Sequence, residues 1–232
     1  PRGARGSPVA AVVLTDAEVD HTLGLVLLRE GPRLPVYAPA GVAGLLEADW
    51  PVFRLLGAWA GVDLRPLPLD GPVSLADAAG GALGLECRAV ALGRRPPRYA
   101  RAEPADATAA GLRLRDPRTG GVLAYVPAAA AIDGAVRALA EGADLLLFDG
   151  TFWSDDEMAA VGAPERTARS MGHVPVGGPD GSLAELPRLG ARRVVLVHVN
   201  NTNPILRSGS PERAQVEAAG VLVAEDGMAF EL

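Results

Sequence analysis

The stretch TDAEVDH (15–21) decides the fold prediction, because it follows a buried strand and concentrates charge where that strand ends. Residues 8–15 (PVAAVVLT) are apolar and rich in valine, a pattern that favours a buried strand. The stretch 15–21 then carries three carboxylates and an imidazole. In α/β folds, ligands usually bind at the carboxyl ends of strands. Carboxylate and imidazole ligands suit iron, manganese or zinc, although a solvated acidic turn with Asp20 as a helix cap has the same sequence pattern.

Working outward from this stretch, the chain alternates strand and helix patterns. Further strands are predicted at 34–38, 62–69, 83–92, 143–150 and 191–199. Helices are predicted after residue 21, over 40–60 with a break at Pro51, at about 130–140, and from Ser210-Pro211 onward. Hairpins are predicted around 117–121 and around Asp226-Gly227. The fold class is therefore α/β (α+β), with mixed sheets covered by helices.

Composition excludes several classes of protein. The 232 residues are 49% hydrophobic and 22% charged, which is typical of a folded chain. A net charge of −6 argues against a nucleic-acid partner, since such binders usually carry a basic patch. The one cysteine excludes an intrachain disulfide framework. No apolar run approaches the length of a membrane span, which is about 20 residues.

The histidines are few enough to be considered individually: His21, His173 and His198. His198 stands near the end of an apolar run, where an unpaired imidazole is costly. Together with Asp20, His21 and His198 would make a set of two histidines and one carboxylate, which holds iron(II) in non-haem oxygenases and leaves positions open. A lone histidine is more often a structural hydrogen-bonding residue, and that interpretation stays open for each of them.

Other polar residues are weaker candidates. Asp16, Glu18 and Asp149 are further acidic candidates, and Asp149 could equally order the turn at Gly150. A loop rich in proline and arginine could bind carboxylates through Arg94, Arg95 and Arg98, or could be a solvated charged loop. Asn200 and Asn201 directly follow the strand of His198, where they could bind a ligand or satisfy local backbone groups.

The order of these elements resembles the metallo-β-lactamase superfamily. The first motif of that superfamily, Thr-His-x-His-x-Asp-His, corresponds to 15–21, in which carboxylates replace the two leading histidines. More narrowly, the chain is similar to the coenzyme PQQ synthesis protein B family. The matching segments are 20–31 (DHTLGLVLLREG), 118–127 (RTGGVLAYVP), 149–158 (DGTFWSDDEM), 171–173 (MGH), 199–206 (VNNTNPIL), 210–214 (SPERA) and 225–232 (EDGMAFEL).

The resemblance implies an αββα sandwich formed by a single, partial domain over 1–232. The glycine-rich opening of the family and its cysteine cluster are absent from the sequence, so we expect the domain to be incomplete at the amino terminus. The loop 93–110 also lacks the histidine that family members tend to carry there.

For function, the resemblance implies a role in the biosynthesis of pyrroloquinoline quinone (PQQ), in the cytoplasm. One family role is an iron-dependent hydroxylase, an oxidoreductase acting on the tyrosine ring of a Glu–Tyr-derived precursor. Its metal ligands would be Asp20, His21 and His198, with His173 as the catalytic proton carrier. Fe(II) is the expected cofactor and zinc the alternative, with the small polycarboxylate precursor as the binding partner.

The alternative family role is a non-catalytic carrier for transport of PQQ or its precursor to the periplasm. A dinuclear zinc hydrolase is disfavoured, because a second zinc would lack the nitrogen ligands of the two missing histidines. Other PQQ-pathway proteins and a second copy of the chain are open as partners. No nucleic acid and no membrane span is expected.

Overall fold

The computed structural model describes residues 7–93, 95–101, 103–104 and 106–232. The chain forms two compact units. Unit 1 comprises residues 1–91, 95–110 and 114–118, and unit 2 comprises 92–94, 111–113 and 119–232. The sequence-based expectation of a single domain over 1–232 stays a prediction.

Unit 1 contains a parallel sheet of three strands in the order β1-β2-β3. The strands are β1 (Val12–Val13), β2 (Leu34–Ala38) and β3 (Val62–Pro66). The helices of this unit are α1 (Val19–Thr22), α2 (Gly24–Leu27), α3 (Ala40–Ala48) and α4 (Val52–Leu56). All residues of β2 are buried, as a central parallel strand requires. The helical pattern of 40–60 breaks at Pro51, as predicted, because proline cannot continue an α-helix.

The remaining strands of unit 1 form an antiparallel pair, β4 (Pro72–Ala76) and β5 (Ala82–Ala91). β5 corresponds to the predicted strand at 83–92, whereas β4 was not predicted. The proline at its first residue and a register irregularity between Ser74 and Ala76 weaken the strand pattern in the sequence. β6 (Ala110–Arg115) is divided between the two units.

Unit 2 is built on four parallel strands in the order β10-β9-β8-β7. They are β7 (Val122–Val126), β8 (Leu145–Asp149), β9 (Val194–Val197) and β10 (Leu222–Val223). The α-helices are α5 (Gly134–Ala140) and α6 (Pro211–Ala218). Short 3-10 helices lie at Glu157–Val161, Arg169–Met171, Ser182–Ala184, Leu186–Arg188 and Pro204–Leu206.

The start of α6 confirms its prediction, since the Ser210 hydroxyl accepts a hydrogen bond from the Arg213 amide and proline stands at the first helical position. The predicted closing hairpin is wrong. β10 pairs in parallel with β9, and the residues after the turn at Gly227 form no strand. Instead the tail lies against Arg193, whose guanidinium donates to the Glu231 carbonyl and stacks on the ring of Phe230.

The register of unit 2 places two predicted site residues at one edge of the sheet. Asp149, the last residue of β8, pairs with Val197, the last residue of β9, so His198 follows directly beside Asp149. In parallel sheets this carboxyl edge is the usual place for a ligand. Among the described residues, no helix is long and apolar enough to cross a membrane.

Candidate functional site

In unit 1, the stretch 15–21 holds an imidazole on a buried carboxylate. Asp16 is buried, and its Oδ1 lies 2.7 Å from Nδ1 of His21 and accepts the Glu18 amide at 3.0 Å. The Thr15 hydroxyl donates to Oδ2 at 3.0 Å. Because a carboxylate can only accept, Nδ1 of His21 carries the hydrogen and Nε2 carries the lone pair. Metal-binding histidines almost always donate their second ring N–H to a carboxylate, a backbone carbonyl or a water.

The predicted ligand Asp20 lies on α1 with its side chain 85% exposed, and its Oδ2 is 4.0 Å from Nε2 of His21. It does not cap the helix. The capping position is Glu18, and no side-chain hydrogen bond is made there. The capping interpretation of Asp20 is therefore wrong, while its role as a metal ligand stays a prediction.

Tyr99, from the arginine-rich loop, fixes the backbone of the same stretch. Its hydroxyl donates to the carbonyl oxygen of Ala17. In the sequence, Ala17 stands between Asp16, which is buried, and Glu18, which is half-buried. Burial, together with the negative charges of Glu18, Asp49 and Asp16, raises the pKa of Tyr99 to about 12. The phenol therefore stays protonated and keeps its hydrogen bond over the neutral range.

In unit 2, Asp149 is fully buried and organises a second group. Its Oδ1 accepts the Thr151 amide at 3.0 Å and the Thr151 hydroxyl at 2.5 Å. Its Oδ2 accepts the Ala129 amide at 2.9 Å and lies 2.8 Å from Nδ1 of His173. These four contacts match the four acceptor sites of a carboxylate, so the buried charge is fully compensated.

The positions of the hydrogens in this group follow from its donors and acceptors. The one hydroxyl hydrogen of Thr151 goes to Asp149, so its oxygen must accept from Nδ1 of His198, 2.7 Å away. Nδ1 of His173 likewise donates to Asp149. Both imidazoles therefore carry the lone pair on Nε2, the form that can bind a metal or take a proton. Their rings stack, with centroids 5.5 Å apart.

The backbone at His198 is strained. Its φ of 56° is the only positive value at a non-glycine residue in the described part of the chain. Asn203 ties the two loops of the site together, because its Nδ2 donates to the carbonyl of Gly150 at 2.9 Å. The Asn200 amide also donates to the carbonyl of Thr151. Strain that the surroundings maintain in this way is typical of functional sites.

Sequence analysis did not single out Thr151, and it included Asn203 only as part of the polar stretch 200–204. The available signal was their position next to the ends of β8 and β9, since polar residues that follow buried parallel strands meet at one sheet edge. A site of this kind depends on which strands become neighbours, and no local motif shows that.

Most of the described residues that were predicted to bind substrate are exposed. Arg95 and Arg98 are exposed, and Arg94 lies outside the described residues. Asn200 donates through Nδ2 to the Thr202 hydroxyl at 2.5 Å, and Asn201 is exposed. The local contact of Asn200 agrees with the alternative in which it satisfies its own loop, and the binding role of all five residues stays a prediction.

Asp149, His173 and His198 form a compact group of residue types that bind metals, in which Asp149 is already engaged by four hydrogen-bond donors. Each offers one ligand atom, and these atoms lie within 4.8 Å of one another. Two imidazoles and a carboxylate suit iron or zinc. Of the predicted ligands, His198 belongs to this group, whereas Asp20 and His21 belong to unit 1.

Comparison with known proteins shows the same fold. Residues 1–199 match the family model "Beta-lactamase superfamily domain". Zinc-bound PqqB from Methylobacterium extorquens superposes with a TM-score of 0.87 at 35% identity, over 100% of this chain and 76% of that chain. A diphosphatase of the PhnP family, at 20% identity, superposes with a TM-score of 0.62 over 97% of this chain and 71% of its own, and shows the fold alone.

Two curated relatives have a higher sequence identity to this chain than these solved structures have. Coenzyme PQQ synthesis protein B of Cupriavidus necator is 42% identical over 234 residues, and that of Methylococcus capsulatus is 40% identical over 234 residues. Both alignments cover 100% of this chain and 76% of the relative. The predicted fold class is confirmed: this is a metallo-β-lactamase fold with parallel and antiparallel strands. The chain belongs to the coenzyme PQQ synthesis protein B family.

Proposed function

We propose that this protein acts in PQQ biosynthesis as an iron-dependent hydroxylase of the tyrosine ring of a Glu–Tyr-derived precursor. The names of its relatives support the pathway. The zinc in the relative from Methylobacterium extorquens supports a metal site, and the donor atoms of unit 2 suit such a metal. Iron(II) is the proposed ion because nitrogen and carboxylate ligands that leave positions open are typical of non-haem oxygenases.

The observation that carries the proposal is the way buried acids orient histidines in each unit. Asp16 holds Nδ1 of His21 in unit 1, and Asp149 holds Nδ1 of His173 directly. Nδ1 of His198 is held through Thr151. In each case the ring presents Nε2 as the basic atom. This preparation is expected of metal ligands and of proton carriers.

Each of these side chains then has a distinct task. When bound, iron supplies the activation of dioxygen. His21 and His198 would hold it through Nε2, and Asp20 is the predicted carboxylate ligand. His173, which is buried and fixed by Asp149, would accept or return the proton displaced from the phenol ring at its Nε2. Asp149 would keep the tautomers of both imidazoles in unit 2 fixed throughout.

Cationic and amide side chains would recognise the substrate. Exposed Arg95 and Arg98 could each form charge-assisted hydrogen bonds with the carboxylates of the precursor, and Arg94 keeps the same predicted role. Asn200 and Asn201 are the proposed neutral contacts. Loss of one charge-assisted bond should lower affinity about ten- to hundredfold.

The proposal is tested by oxygen uptake and mass spectrometry with a Glu–Tyr peptide. The protein is loaded anaerobically with iron(II) or zinc, and ascorbate supplies the two electrons that reduce the second oxygen atom to water. We expect the gain of one oxygen atom on the peptide with iron only. His198→Ala should lose metal and turnover, whereas His173→Ala should keep the metal and lose rate.

Several outcomes would contradict the proposal. Turnover with zinc alone, or in the absence of dioxygen, would exclude an oxygenase. Tight binding of the peptide without turnover by the iron-loaded protein would favour the carrier function instead.

A further inference from the structure

A second chain of hydrogen bonds links the two loops of unit 2 that follow β8 and β9. The Glu157 carboxylate accepts the Trp153 backbone amide at 2.6 Å through Oε2 and the Thr202 hydroxyl through Oε1. Nδ2 of Asn200 lies 2.5 Å from the oxygen of that hydroxyl. Glu157, Thr202 and Asn200 are all half-buried, so the chain runs between the interior and the surface of the unit.

The direction of these hydrogen bonds follows from the donors and acceptors. Because a carboxylate can only accept, the single hydrogen of the Thr202 hydroxyl goes to Glu157. The Thr202 oxygen must then accept from its other neighbour, which fixes the nitrogen of the Asn200 amide, and not its oxygen, on this side. The Thr151 hydroxyl orients the ring of His198 in the same way.

The oxygen of the Asn200 amide is left over. The amide nitrogen contacts the Thr202 hydroxyl and, at 3.9 Å, the sulfur of Met158. Oδ1 accepts no hydrogen bond from any described residue, and it is not among the unpartnered polar atoms that are closed off from solvent. The Asn200 backbone amide is tied to the Thr151 carbonyl at the carboxyl edge of β8 and β9. Asn200 therefore offers an accessible acceptor of fixed orientation at the edge where ligands usually bind.

We propose that Asn200 accepts a hydrogen bond from the ammonium group of the precursor, and that Glu157, acting through Thr202, is the positioning residue that orients it. This inference rests on the proposed function for its substrate, a Glu–Tyr-derived molecule that carries carboxylates and an ammonium group. The arginines of the loop would pair with the carboxylates and leave the cation to an acceptor. Hydrogen bonds in a chain polarise one another, so the charge of Glu157 makes Oδ1 of Asn200 a stronger acceptor for a cation.

The ligand group is tested by calorimetric titration of the zinc-loaded full chain, because zinc has no redox chemistry. Glu–Tyr carries the ammonium group, and glutaryl-tyrosine is the same molecule without it. At about pH 6.5 the amine, whose ordinary pKa is about 8, is charged. We expect wild type to bind Glu–Tyr about ten- to hundredfold more tightly than glutaryl-tyrosine, and Asn200→Ala to bind both equally. Equal affinity of wild type for both ligands, or no binding of either, would overturn the proposal.

Glu157→Gln distinguishes a positioning role from a structural one. The glutamine oxygen can accept the Trp153 amide while its nitrogen donates to the Thr202 oxygen. The Thr202 hydroxyl can then donate to the Asn200 oxygen, which turns the amide and presents its nitrogen instead. We expect this variant to lose the preference for Glu–Tyr, to bind glutaryl-tyrosine at least as tightly as wild type does, and to unfold at an unchanged temperature. An unchanged preference, or an equal loss of affinity for both ligands, would overturn the assignment of Glu157.

Glu165→Gln is the matched control. Glu165 is exposed in the same unit and forms no hydrogen bond or ion pair with the described residues, so this variant makes the same change of charge and should keep the wild-type preference. Oxygen uptake by the iron-loaded protein separates this inference from hydroxylation. A preference for Glu–Tyr without turnover would support the binding assignment and contradict the hydroxylase. Turnover with equal affinity for both ligands would contradict the binding assignment alone.

Discussion

The segment Asp16–His21 in unit 1 and the group Asp149–His173–His198 in unit 2 build similar chemistry from different sequence patterns. The first brings its acids and its imidazole together within six consecutive residues, and it stays partly open, with His21 23% exposed. The second draws on three separated segments and buries Asp149 completely. Charge density along the sequence is therefore a poor guide to burial in this fold.

The difference has a simple physical origin. A short charged turn can direct only some of its side chains inward, so Asp16 is buried while Asp20 is 85% exposed. Adjacent parallel strands, in contrast, bring their ends together by register, and Asp149 and His173 are buried there, although the His198 side chain is 28% exposed. The more deeply buried group should therefore respond more strongly to substitution.

The largest effect is expected for Asp149→Ala. The substitution leaves the Ala129 amide, the Thr151 hydroxyl and the His173 ring without their acceptor. Loss of one partner from a buried charged network costs about 3–5 kcal/mol. Urea denaturation should show this decrease in the free energy of unfolding. A decrease in the free energy of unfolding smaller than that of Asp16→Ala would contradict the expectation that the more deeply buried group responds more strongly.

A smaller loss is expected for Asp16→Ala in the more open segment. Its carboxylate accepts from the His21 ring, the Glu18 amide and the Thr15 hydroxyl, and each of these has access to water after the substitution. We expect a decrease of about 1–3 kcal/mol in the same measurement. Asp20→Ala is the matched control, and since its side chain is exposed it should change stability by less than about 0.5 kcal/mol.

The strain at His198 can be measured with a pair of variants. His198→Gly and His198→Ala lose the same imidazole, but only glycine adopts a φ of 56° without cost. The left-handed cost for alanine is about 1–2 kcal/mol, and the extra freedom of glycine in the unfolded chain offsets about 0.4–1 kcal/mol. The glycine variant should be more stable by about 1 kcal/mol. A glycine variant less stable than the alanine variant would mean that the backbone there is not strained.

An effect similar in size to that at His198 concerns Tyr99 and alkaline pH. A folded pKa of about 12 lies above the ordinary value near 10, so the fold favours the protonated phenol. That contribution is complete below pH 10 and is lost as the pH rises from about 10 to about 12. Tyr99→Phe should therefore lose about 0.5–1.5 kcal/mol at pH 8 and show a shallower alkaline decline.

The control for this experiment is Cys87, whose burial raises its pKa to about 11 and gives wild type and variant the same additional alkaline decline. The difference between the two curves thus isolates Tyr99. Parallel curves over the whole range would contradict its assignment.

Much of the fold was predictable, because apolar runs bounded by turn residues mark β2, β8 and β9 directly. The end of the chain was not, since Arg193 holds the tail through a contact of 38 residues' separation. The candidate site was likewise predictable only in part. Histidines near strand ends could be identified as candidates, whereas the shared hydroxyl of Thr151 depends on the pairing of β8 with β9.

We propose that His198 is a metal ligand whose ring is oriented by Thr151 and Asp149. Its most direct test is the equilibrium affinity for iron(II), measured anaerobically by calorimetric titration of wild type, Thr151→Val and His198→Ala. Loss of the partner that orients a ligand typically costs 10–100-fold in metal affinity. We expect a decrease of about that size for Thr151→Val and a larger one for His198→Ala. Wild-type affinity in His198→Ala would contradict it.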